Sequence, residues 1–78
     1  MNDANNQPSD DAKPDTRNQG IIEAIRTAGS QQALAQAIGV TQGAVSYYLR
    51  GRVPALRAVQ IEKATGVPRA VIRPDLFS

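Results

Sequence analysis

The sequence has no cysteine, no histidine and no tryptophan, and only a single phenylalanine. Without cysteine no disulfide framework can form, and without cysteine or histidine no zinc site of the usual ligand types is available. The missing histidine also removes the commonest general acid–base group. No apolar run approaches the roughly 18 residues of a membrane span. The opening MNDANNQPSDDAKPD has neither the basic start nor the apolar segment of a signal peptide. No glycine-rich loop of the kind that cradles phosphates is present, and no alternation of period two is long enough to propose a sheet. These absences leave a soluble, cytoplasmic, all-α protein with no cofactor, no metal and no membrane or small-molecule partner as the expectation.

What is present is 78 residues, enough for one domain. A chain this short buries only about 60% of its unfolded surface, so its core must be compact or completed by a partner. Residues 1–17 carry four aspartates against Lys13 and Arg17, a net charge of −2, whereas residues 18–78 carry seven basic groups against Glu23, Glu62 and Asp75, a net +4. The basic part is the part with apolar periodicity. Residues 1–19, rich in Asn, Asp, Gln and Pro, cannot bury enough surface to offset the entropy of ordering and read as a disordered acidic arm. Residues 20–78 read as the folded domain. An enzyme is the weakest option, because the four aspartates before residue 17 lie in that arm.

From Gly20, apolar residues at Ile21, Ile22, Ile25 and Ala28 give a helical repeat that stops at Gly29. Ser30 caps a second helix over 31–38 with Leu34, Ala35 and Ile38 on one side, and Gly39 and Val40 form a turn. Thr41 caps a third helix over 42–50, closed by Gly51. Pro54 suits the first turn of a fourth helix running to about Thr65, with Ala58, Ile61, Ala64 and either Leu56 or Val59 inward, and Gly66 ends it. Pro68 starts a shorter turn through Ile72. The expected fold is a compact bundle of four to five short helices containing a helix-turn-helix. Leu76 and Phe77 then either fold back over the domain's own core or pack on a second subunit.

Within 31–50 the apolar residues Leu34, Ile38, Val45, Tyr48 and Leu49 would share one small core. Val45, Tyr48 and Leu49 stand at i, i+3 and i+4, so Gln42, Gly43, Ser46, Tyr47 and Arg50 fall on the opposite face of the third helix. That face suits a major groove. Gln can grip adenine N6 and N7, Arg can grip guanine O6 and N7 or a phosphate, and a Tyr ring can lie against a thymine methyl. Gln31, Gln32 and Thr41, at helix amino ends, would meet phosphates, and Arg52 and Arg57 would reach flanking phosphates. Gly43 costs its helix about 1 kcal/mol relative to Ala and reads as a place for close approach of another backbone.

This stretch resembles the helix-turn-helix of the Cro and phage-repressor class, through Ala35, Gly39, Leu34, Ile38, Val40, Val45 and Tyr48. From Leu34 through Phe77, with LAQAIGVTQGAVSYYLRG, VPALRAVQIEKATG and RPDLF, the chain is similar to YdaS-like proteins, Cro-type bacterial and prophage regulators counted among antitoxins. The resemblance implies a lambda-repressor-like domain that regulates transcription by binding a palindromic operator in double-stranded DNA as a homodimer. It places base reading on Gln42, Gly43, Ser46 and Tyr47, with Gln31, Thr41, Arg50 and Arg52 nearer the backbone. Gly43 departs from it, since the class often has a base-reading side chain there. Two other readings remain open: an antitoxin that also binds a toxin protein, and a protein-interaction module without DNA binding.

Overall fold

The computed structural model describes residues 17–51 and 53–77. They form five helices and no strand: α1 (Gln19–Ala28), α2 (Gln31–Ile38), α3 (Gln42–Arg50), α4 (Ala55–Thr65) and α5 (Arg69–Ile72). None is long and apolar enough to cross a membrane. Arg52, most of the acidic arm and Ser78 lie outside the described residues.

Helix boundaries follow local chemistry. The Ser30 and Thr41 hydroxyls accept from the amides of Ala33 (3.0 Å) and Ala44 (3.1 Å), satisfying donors that the first turn leaves open. Gly39 ends α2 at φ +75°, a left-handed conformation that a Cβ would disfavour, and so sets the turn into α3. Pro54 and Pro68 sit one residue ahead of α4 and α5, at the cap position rather than inside the first turn.

The core is formed by Ile21, Ala24, Leu34, Ala35, Ile38, Val45, Tyr48, Val53, Ala58, Ile61 and Ile72, drawn from every helix and from the α3–α4 connection. Leu49 packs against this cluster while only partly buried. Ala64 and Leu56, both candidates for the inward face of α4, are exposed, and Val59 is half-buried. On α4 only Ala58 and Ile61 are fully buried, with Arg57, Val59, Gln60, Glu62 and Thr65 half-buried beside them.

The first helix reaches back to Gln19, and Asn18 before it belongs structurally to the bundle. Its backbone N–H donates to the Leu49 carbonyl (2.8 Å), its Oδ1 accepts from the Ile21 amide (3.0 Å), and its Nδ2 donates to the Ile72 carbonyl (3.0 Å). One residue thus joins α1, α3 and α5. Beside it α1 and α5 come close enough that a Cβ built on Gly20 would lie 2.7 Å from the Ile72 Cα. Within the chain, such a close approach of another backbone occurs at Gly20. A Cβ on Gly43 would meet only the Thr41 hydroxyl, at 3.8 Å.

Arg73, directly after α5, ties the C-terminal turn to the α3–α4 connection. Its side chain is buried and donates through Nη1 to the Val53 carbonyl, while Nε and Nη2 grip Asp75 at 2.8 and 2.6 Å. Chiefly through its hydrogen bonds to the Asp75 carboxylate, its pKa is raised above the ordinary arginine value, against the opposing effect of burial. The C-terminal pair divides: Phe77 packs against the core under the Arg69 guanidinium, 5.5 Å from the ring centre, and Leu76 is 52% exposed.

Candidate nucleic-acid interface

α3 is amphipathic in the plainest sense. Val45 and Tyr48 are buried, and Gln42, Gly43, Tyr47 and Arg50 are exposed, Tyr47 by 63%. The Tyr47 ring meets Tyr48 edge-on with centroids 6.5 Å apart, so a buried ring braces an exposed one. Thr41, exposed at the head of α3, spends its hydroxyl oxygen on the Ala44 amide.

Ser46 differs from its neighbours on this face. It is half-buried, and its hydroxyl donates to Gln31 Oε1 at 2.7 Å, across the crossing of α2 and α3. The first residue of α2 is thereby held against the middle of α3. Gln32, next along α2, is exposed. Both glutamines lie at the positive end of the α2 dipole, where first-turn amides have no intrahelical acceptor.

Arg57 is placed elsewhere. Its Nη1 donates to Gln60 Oε1 (2.7 Å) and, at 3.4 Å, to the carbonyl of Ile38, the last residue of α2. There a cation complements the negative end of the helix. Arg50 stands at the opposite end of α3 from Gln42 and borders a shallow cleft of about 430 Å³, shared with Asn18, Gly51, Arg73 and Asp75.

Charge is distributed to the same effect. Among the described residues each carboxylate is paired: Glu23 with Arg26 (2.7 Å), Glu62 with Arg69 (2.6 Å) and Asp75 with Arg73 (2.6 Å). Arg50, Arg57 and Lys63 have no such partner among them.

The sequence reading missed three features: the Ser46–Gln31 bond, the hub at Asn18 and the burial of Arg73. Asn18 alone carried a signal, since Asn directly before an apolar helical repeat is a favoured N-cap.

An all-helical bundle with a tight α2–turn–α3 unit and an exposed outer face on α3 defines a Cro-like helix-turn-helix regulator. The chain is similar to the Cro protein from prophage element Xfaso 1 in Xylella fastidiosa strain Ann-1, with a TM-score of 0.71 and 45% identity over 76% of this chain and 95% of that one. It is also 36% identical over 52 residues to the Gene 30 protein of Enterobacteria phage phi80, covering 64% of this chain and 71% of that protein. A family model described as Bacterial toxin YdaS matches residues 21–78, and the chain belongs to that family.

Proposed function

We propose that this regulator binds operator DNA sequence-specifically as a homodimer, laying α3 in the major groove and acting as a transcriptional repressor without catalytic activity or cofactor. The observation that carries the reading is the outer face of α3. Gln42, Tyr47 and Arg50 are exposed on a helix whose other side is committed to the core. Gln42, at the first turn, is the adenine reader, Arg50 takes a guanine edge or a phosphate, and Tyr47 lies against a thymine methyl. Gln31, Gln32 and Thr41 face the backbone, with Arg52 and Arg57 adding flanking charge. In the dimer, two copies of α3 about 34 Å apart read two half-sites one turn of DNA apart. Leu76, exposed as Leu56 and Val71 also are, is the C-terminal apolar group offered to the second subunit.

Selection of bound duplexes from a random pool tests this. A palindromic site is expected, and Gln42→Ala should relax preference at one base pair per half-site, costing about 1–3 kcal/mol of discrimination there. Retention of no duplex, or an affinity indifferent to salt, would refute it. The family's description as a bacterial toxin leaves open a second reading, a toxin–antitoxin pairing in which the chain also binds a toxin protein. A DNA-blind variant such as Arg50→Ala that still neutralises a co-expressed toxin would establish it.

A further inference from the structure

The bond between Ser46 and Gln31 assigns Ser46 a role other than base reading, given the DNA-binding mode proposed above. Ser46 lies one helical turn from Gln42 on the face that would enter the groove, yet its side chain is half-buried. Its single hydroxyl proton is donated to Gln31 Oε1, 2.7 Å away. A serine has one O–H to give, so this one has no donor left for a base edge and only its lone pairs remain.

The same bond decides what Gln31 can do. Glutamine reads adenine by presenting its oxygen and its NH2 together. Here the oxygen already accepts from Ser46, which holds the carboxamide in one orientation and leaves both N–H donors of the NH2 free for a group that only accepts. A phosphate oxygen is such a group, and Gln31 is the first residue of α2, at the positive end of its dipole.

We infer that Ser46 is a positioning residue: it fixes the Gln31 carboxamide as a phosphate donor and so locks the backbone grip of α2 in register with the base-reading side chains of α3. Gln42, Tyr47 and Arg50 choose the sequence, and the Ser46–Gln31 clamp sets where on the duplex they are held. Its loss weakens binding to every duplex without altering which is preferred.

The test compares wild type, Ser46→Ala, Gln31→Ala, the double variant and Ser46→Thr in duplex selection from a random pool, followed by titration of the selected site and a scrambled one. Ser46→Ala is expected to weaken both by about 3- to 10-fold, the range of one neutral hydrogen bond, with an unchanged preference at each position. Gln31→Ala is expected to do at least as much, the double variant no more than Gln31→Ala alone, and Ser46→Thr, which keeps the hydroxyl, to restore binding. A changed preference at one base pair on Ser46→Ala would make Ser46 a base reader and overturn the clamp while leaving DNA binding intact. Additive losses in the double variant would overturn it equally. Wild type that retains no duplex would overturn the DNA reading and the clamp with it.

Discussion

Two glycines occupy the same position in different helices, and replacing each by alanine should move stability in opposite directions. Gly20 is the second residue of α1 and Gly43 the second of α3. Alanine at either gains helix propensity and restricts the unfolded chain, together about 0.5–1 kcal/mol. For Gly43 nothing opposes this, since the added methyl finds its nearest atom at an ordinary 3.8 Å. For Gly20 the methyl would sit 2.7, 2.8 and 2.9 Å from the Cα, Cγ1 and N of Ile72. Two of those atoms are backbone, and α5 is held in place by Asn18 on the Ile72 carbonyl and by Arg73 on Val53. Forcing the helices apart costs about 1–3 kcal/mol, so Gly20→Ala should be destabilised by about 1 kcal/mol net, and by up to about 2.5 kcal/mol. Near 4–8 °C per kcal/mol for a domain this size, the two variants should melt roughly 10–20 °C apart by circular dichroism. Gly43→Ala should lie above wild type and Gly20→Ala below it. Shifts in the same direction would refute the close α1–α5 contact.

Asn18→Ala should cost about 2 kcal/mol in urea denaturation, losing the α1 cap and leaving the Ile72 carbonyl without its donor, against about 1 kcal/mol for Ser30→Ala, which loses a cap alone. Equal losses would mean that the Asn18–Ile72 bond contributes nothing. Arg73→Met should lower the urea midpoint more than Asp75→Asn, because only the first strips the Val53 carbonyl of its donor. With its pKa raised by Asp75, Arg73 contributes stability that is fully present below its ordinary pKa and is lost only as pH rises through the higher folded value. The Arg73→Met deficit should therefore be constant from neutral to moderately alkaline pH, and a deficit that fades there would contradict the assignment.

The parts of this structure legible in the sequence are those whose causes lie within a few residues of each other. Ser30, Gly39 and Thr41 bound α2 and α3 by bonds to their own neighbours, and the i, i+3 spacing of Val45 and Tyr48 is enough to orient α3. Causes that lie far apart in the chain left no such mark. Val53 is fully buried from an irregular connection that has no periodicity, and Gly20 is required by Ile72, near the other end of the domain. Asn18 shares the composition of the arm and is distinguished from it only by contacts with Leu49 and Ile72. In α4 the pattern offered more apolar residues than the bundle covers, so Leu56 and Ala64 could not be separated from Ala58 and Ile61 without knowing the width of the contact. At the candidate interface the faces of α3 were legible from spacing. The Ser46–Gln31 bond was not, because it depends on how α2 crosses α3.

The contrast between the two glycines bears on function as well as stability. Gly20 weakens a helix and is compensated inside the chain, where Ile72 fills the space a side chain would take. Gly43 weakens a helix by a similar amount with only an ordinary 3.8 Å contact to the Thr41 hydroxyl for an added Cβ, so no close packing offsets its cost. It lies on the exposed side of α3, between Gln42 and the cap at Thr41 on one hand and Tyr47 one turn later on the other. The unpaired cations among the described residues include Arg50 at the end of the same helix, while each carboxylate among those residues is neutralised by an arginine. A bare backbone flanked by hydrogen-bonding side chains, on a helix that ends in an uncompensated positive charge, suits the close approach of a polyanion proposed above. In the proposed complex the compensation for Gly43 lies outside the chain, where a groove wall can come nearer to α3 than any side chain at that position would allow.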